Sequence, residues 1–214
     1  MKRVFPLIFL LSLFFNFFFA YQYFNLKQKN LIKVIGVLDG DTIVLENKTR
    51  LRLRHIDGPE INLCGGAEAK QLLEKLVVNK KITIEENISD QKGRMMALVY
   101  VNNQLVNLIM LQSGWVRYHS DKTGQTEMLK KAANEAKNKK IGIYSTKCQQ
   151  LKNEENPNCI IKGNIENNSG RKLYYLPNCA QYKFVVVEKD IGEQWFCTED
   201  EAKKQGYEKA KTCY

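Results

Sequence analysis

The order of strand-like and helix-like segments predicts a mainly β protein with α: a five-stranded closed barrel capped by three helices, then a small disulfide-stabilised α+β C-terminal domain. Three observations carry this. Five short alternating stretches lie between residues 31 and 101, with one helical stretch after the third, and two more helical stretches follow. Turns, not long crossovers, join the first three stretches, which argues against a parallel α/β sheet. Four of the six cysteines fall after residue 158, in a segment small for an unaided core.

The elements follow in order. Lys2 and Arg3 precede an almost uncharged run from Val4 to Phe24, dominated by Phe and Leu. Residues 1–30 therefore read as a signal peptide or a membrane anchor. Ala20 supplies one small residue for cleavage, but Phe18 stands where the other belongs, which favours an uncleaved anchor. Lys2 and Arg3 then leave the body on the outer side.

After a polar stretch at Gln28–Asn30, Leu31–Leu38 alternates as a strand, and Thr42–Glu46 is a second, with a turn at Asn47-Lys48. From 50 to 54, leucines fall on one face and arginines on the other. Ala67–Val78 has helical spacing through Leu72, Leu73, Leu76 and Val77. Lys81–Glu86 and Arg94–Val101 are strands. Gln104–Gln112 is a helix stopped by Ser113-Gly114, and Thr126–Lys140 is an amphipathic helix ending near Gly142. Short strands in this order fit a small barrel of the OB type. The barrel domain spans 31–147.

Residues 148–158 are polar and contain Pro157, so they read as a linker. Residues 159–214 form the second domain. Short strands there precede Trp195-Phe196-Cys197-Thr198 and a helix at Glu199–Gln205, with Thr198 as its N-cap. There is no internal repeat.

The net charge of +10 is uneven. Residues 1–30 carry four basic and no acidic side chains, residues 31–150 nineteen and thirteen, and residues 151–214 ten of each. The excess in the folded body lies on the barrel, which suits a polyanionic substrate. The tail's balance argues against an independent nucleic-acid grip. Lys130, Lys131, Lys137, Lys139 and Lys140 also read as the solvated face of a helix. The cysteines are Cys64, Cys148, Cys159, Cys179, Cys197 and Cys213. Their even number and an exported body favour disulfides, and no Cys-x-x-Cys spacing marks a zinc site.

The chemistry concentrates in Asp39-Gly40-Asp41-Thr42 and in the stretch from Arg52 through Asp57-Gly58-Pro59-Glu60. Three carboxylates, a fourth close by, and an arginine on neighbouring strands can hold a hard metal ion and a phosphate together. Calcium takes oxygen ligands at about 2.3–2.6 Å. Asp41 and Asp57 are the candidate ligands, Gly58 can add its carbonyl, and Asp39 can support them. Glu60 can take a proton from water. Arg52 and Arg94 can grip phosphate oxygens through paired donors. Each motif alone reads better as a turn or a solvent-facing strand residue. Their joint occurrence points to a metal-dependent phosphodiesterase.

These landmarks resemble the thermonuclease family, typified by staphylococcal (micrococcal) nuclease. They are Asp39-Gly40-Asp41-Thr42, Arg52 five residues before Asp57, Pro59-Glu60, and Gly93-Arg94 after Asp90. Val106-Asn107, Gln112-Ser113-Gly114 and Gly142-Ile143-Tyr144-Ser145 extend the match, which runs from about Ile32 to Thr146. The resemblance implies an OB-type barrel and hydrolysis of DNA and RNA, dependent on one Ca²⁺ ion, to 3′-phosphorylated products. It makes Asp41, Asp57 and the Gly58 carbonyl metal ligands, with Asp39 as a supporting acid. Glu60 becomes the general base or water-orienting group, and Arg52 and Arg94 bind phosphate.

The chain departs from the family in three places, one being the segment between Glu60 and the next helix, which is short and carries Cys64. Lys92 stands where a Tyr often precedes Gly-Arg, and Gly58 where a Thr often follows the second Asp. Lys92 and Tyr118 are further substrate-binding candidates, with Tyr118 read first as packing. His55 and His119 read as structural or exposed.

The tail resembles a small domain that follows nuclease domains in other exported bacterial proteins. It shares an Ile161-Lys162-Gly163-Asn164 start and Trp195-Phe196-Cys197-Thr198-Glu199. That resemblance favours Cys159–Cys197 and Cys179–Cys213. Cys64 and Cys148 both flank the barrel and can pair with each other. The expectation is a monomeric, extracytoplasmic nuclease attached to the membrane by its N-terminal segment, or secreted if that segment is cut. The rival is a barrel that binds nucleic acid or protein without catalysis. Asp41, Asp57 and Glu60 beside a polyanion argue against it, since without metal they repel the ligand.

Overall fold

The computed structural model describes residues 12–22, 31–166 and 168–213. Helix α1 covers residues 12–22, and its Phe14, Phe17 and Phe19 are exposed. The rest of the predicted anchor run lies outside the described residues. Among the described residues, no helix is long and apolar enough to cross a membrane.

Five strands close a barrel: β1 (Ile32–Val37), β2 (Thr42–Leu45), β3 (Arg50–Leu53), β5 (Lys81–Ser89) and β6 (Met95–Val101). Antiparallel pairing runs β3-β2-β1-β5-β6, and a parallel pairing of β3 with β6 closes the ring. Closure leaves these strands no long edge. A bulge between Val34 and Gly36 in β1 curls the sheet. Three caps follow: α2 (Gly66–Val77), α3 (Val106–Ser113) and α4 (Thr126–Asn138). Two-residue strands β4 (Ile56–Asp57) and β8 (Arg117–Tyr118) pair with each other, and β7 (Gln104–Leu105) turns back to pair antiparallel with the end of β6.

The predicted periodicities become one core. Val34, Ile43, Leu45, Leu51 and Leu53 point inward from the strands, and Leu73, Met110, Leu111 and Leu129 arrive from the three helices. Full burial of each such side chain contributes about 1.5–3 kcal/mol. Asn107 is a polar post in this core. Its amide donates to the carbonyls of Arg54 (2.8 Å) and Ala97 (3.3 Å) and accepts from the Val99 N–H (2.9 Å). On the arginine face of residues 50–54, Arg54 is buried and forked onto Asp121 at 2.5 and 2.7 Å.

The C-terminal region carries its own four-stranded sheet, ordered β13 (Trp195–Phe196), β10 (Ile161–Ile165), β11 (Lys172–Tyr175) and β14 (Glu208–Lys209). Helix α5 (Glu199–Lys204) starts at Thr198 with a reciprocal cap. The Thr198 hydroxyl accepts from the Glu201 N–H, and the Glu201 carboxylate accepts from the Thr198 N–H. Disulfides join Cys159 to Cys197 and Cys179 to Cys213 here, while Cys64–Cys148 ties the barrel to the start of this region. Within 148–158, β9 (Gln149–Gln150) pairs with β12 (Val187–Glu188).

Candidate active site

The site forms where the turn after β1 meets the turn after β3. The Asp39 carboxylate accepts from the Asp41 N–H at 3.1 Å, which fixes the first turn. Asp41 then points inward and is almost wholly buried. Its two oxygens accept from the Thr42 hydroxyl and the Gly58 N–H, both at 2.8 Å. Burial pushes the Asp41 carboxyl up to about 6, although Arg52 and the Gly58 N–H pull it down. A buried carboxylate left this basic attracts a cation.

The second turn carries Asp57. His55 holds a left-handed conformation (φ 63°) between Arg52 and Asp57 and redirects the chain. Its ring is fully buried, stacked on Tyr118 with centroids 5.7 Å apart, and bonded at Nε2 to the Thr123 hydroxyl (2.7 Å). Burial lowers its pKa. The strained turn is thus held by tertiary contacts. Arg52 Nη2 lies 2.7 Å from Asp41 Oδ2 and also contacts Asp57 Oδ1. One guanidinium therefore bridges the two carboxylates, between which a hard cation would also be drawn.

Glu60 is exposed on the same loop, beside Asp57 and Gly58 on the wall of a cavity of about 200 Å³. Arg94 sits on the turn between β5 and β6. Asp90 organises that turn by accepting from the N–H groups of Lys92 and Arg94, both at 2.8 Å, and from Arg94 Nε at 2.7 Å. The outer nitrogens of Arg94 have no partner among the described residues, and its side chain is half exposed. Lys92 is exposed on the same turn. Tyr118 spends its ring on His55 and the core. His119 is exposed.

The structure thus gathers Asp39, Asp41, Arg52, Asp57 and Gly58, places Glu60 at their rim, and leaves Arg94 and Lys92 on a separate turn. Among the described residues, no group of three His, Cys, Asp or Glu side chains is set to hold a metal alone. The available donors are two carboxylates and a backbone carbonyl. All are oxygen, and with water completing the shell they fit a hard ion. Sequence reasoning named Thr42 only as part of its motif, and missed His55 as the turn and Arg117. Arg117 pairs backbone-to-backbone with Asp57 and reaches Asp190 (2.6 Å) and Glu188 (3.0 Å) in the C-terminal region.

A closed, helix-capped barrel with paired carboxylates and arginine at one rim defines a hydrolase acting on phosphodiesters. Residues 50–146 match the model of the staphylococcal nuclease homologue family. Over 127 residues the chain is 32% identical to a micrococcal nuclease of Shigella flexneri, covering 53% of this chain and 72% of that protein. It is 35% identical over 121 residues to an uncharacterized endonuclease of Escherichia coli O157:H7, covering 53% and 76%. Against an uncharacterized 38.1 kDa protein of Capnoides sempervirens it is 34% identical over 122 residues. That alignment covers 56% of this chain but spans only 36% of the relative. The chain belongs to the staphylococcal nuclease homologue family and is a nuclease. The C-terminal region lies beyond the family match.

Proposed function

We propose that the chain is a Ca²⁺-dependent nuclease acting outside the cytoplasm, cleaving DNA and RNA to 3′-phosphorylated products. The observation that carries this reading is the convergence of Asp41 and Asp57 on Arg52. Asp41, Asp57 and the Gly58 carbonyl would hold calcium, with Asp39 fixing the turn behind them. Bound calcium supplies positive charge for the phosphate and a more acidic water.

The chain's own residues do the rest. Glu60 accepts the proton of the attacking water or orients that water. Arg52, freed from bridging two carboxylates, donates to a phosphate oxygen as negative charge develops. Arg94 offers its two outer nitrogens to the same phosphate group. Lys92 adds charge on that turn, and Tyr118 serves chiefly to hold His55.

Residues 31–147 act as the nuclease unit and 159–214 as an accessory unit, joined through 148–158. Three disulfides support an extracellular or periplasmic setting. The apolar N-terminal run and exposed helix α1 support attachment to the membrane.

The test is hydrolysis of single-stranded DNA by the full chain, with calcium and with chelator, beside Glu60→Gln and Arg94→Ala. Calcium-dependent cleavage lost in both variants is expected. DNA binding without cleavage in all three proteins would leave only a binding module.

A further inference from the structure

Resting on that reading, we infer that the C-terminal region is a working part of the nuclease site, with Asp190 and Glu188 as positioning residues that hold Asp57 through Arg117. The argument starts from the shortness of β4. This strand is two residues long, as is its partner β8, and Asp57 stands opposite Arg117 in the pairing. Two such strands specify their register weakly by themselves. Tyr118, stacked on His55, and the His119 N–H on the His55 carbonyl (2.9 Å) hold one side of β8. The Asp57 partner itself is held by the Arg117 side chain, whose Nε meets Asp190 Oδ2 at 2.6 Å and whose Nη2 meets Glu188 Oε2 at 3.0 Å.

The clamp closes into a ring. Lys189, between those two acids, donates its N–H to the Cys148 carbonyl at 2.8 Å. Cys148 is bonded to Cys64, four residues past Glu60. The Glu60 loop is therefore tied to the C-terminal region by a covalent bond on one side and by Arg117 on the other. Asp190 and Ile191 line the same cavity as Asp57, Gly58 and Glu60.

Asp190 itself is costly. Its side chain is fully buried, and Oδ1 has no hydrogen-bond partner among the described residues. A purely structural contact would be served more cheaply by a neutral group. A charge kept there grips an arginine.

The experiment uses the full chain and the variants Asp190→Asn and Arg117→Lys. Asp200→Asn, an exposed acid of the same region, is the control. Three readouts are taken: hydrogen exchange over residues 55–60 without metal, calcium binding by calorimetry, and kcat and KM on single-stranded DNA. The clamp variants are expected to exchange faster at 55–60 and to lose about 10- to 100-fold in calcium affinity or kcat, with KM for DNA nearly unchanged.

A folded Asp190→Asn with wild-type exchange, calcium affinity and kcat overturns the inference. If Asp190→Asn does not fold, Glu188→Gln must show the same three changes at smaller size, and its silence overturns the inference equally. A wild-type chain that cleaves nothing sinks the nuclease reading instead.

Discussion

Gly58 packs directly on Gly40: a Cβ placed on Gly58 would lie 2.9 Å from the Gly40 Cα. Gly40 in turn abuts Ala69 on α2, where an added Cβ would come within 2.7 Å of the Ala69 Cβ. These contacts let the Asp41 and Asp57 turns touch. Gly58→Ala must push them apart, at about 1–3 kcal/mol of stability. Calcium affinity and cleavage should fall together in that variant, with thermal unfolding reporting the stability loss. An unchanged calcium titration would show that the two turns can separate without harm.

Arg52 faces two acids in the metal-free chain and a phosphate in the proposed complex. Arg52→Ala should lower kcat by about 10²- to 10³-fold, as removal of a single charge-stabilising donor does. Calcium should still bind, because the guanidinium no longer competes for Asp41 and Asp57. Steady-state cleavage and calcium calorimetry on one preparation decide this. Loss of calcium binding in the variant would make Arg52 an organiser of the carboxylates instead.

Glu193 gives the C-terminal region a pH dependence. It is almost wholly buried, and burial pushes its carboxyl from 4.5 to about 7 against the N–H bonds from Ile165 and Glu188. Between those values the folded chain holds a proton that the unfolded chain has released. Its contribution is complete below 4.5 and is lost as pH rises through 7, at about 1–3 kcal/mol. Chemical unfolding from pH 4.5 to 8 should show this decline, and Glu193→Gln should flatten its slope whatever it does to absolute stability.

Asn107→Ala should cost about 3 kcal/mol. It strands the Val99 N–H and the Arg54 carbonyl in the core, and each unsatisfied buried group costs about 1–3 kcal/mol. The Arg54 carbonyl belongs to the turn that leads through His55 to Asp57, so cleavage should fall further than the loss of folded protein explains. Urea unfolding and specific activity on the folded fraction separate the two effects.

The barrel and the Asp41–Arg52–Asp57 group were legible because their signals are local. Alternation, one helical period and a five-residue spacing lie within short windows. What surrounds Arg54 was not legible for the same reason: alternation tells which way a side chain points, not what covers it. Asp121, 67 residues on, covers Arg54. Arg117 and Asp190 are 73 residues apart, and each looks like an ordinary surface charge in sequence. Only the docking of the C-terminal region makes them partners. The left-handed His55 had no sequence signal, since its conformation is imposed by Thr123 and Tyr118 from a distant strand and loop.

The Cys64–Cys148 bond encloses α2, β5, β6, α3 and α4 within one covalent loop of the chain. A protease that cuts the exposed turn at Gln91–Gly93 therefore releases nothing. The two pieces stay joined as a single molecule, with Arg52 and Asp57 on one and Arg94 on the other. In the proposed extracytoplasmic setting a nick becomes survivable damage, because the disulfide keeps both halves of the site in one molecule.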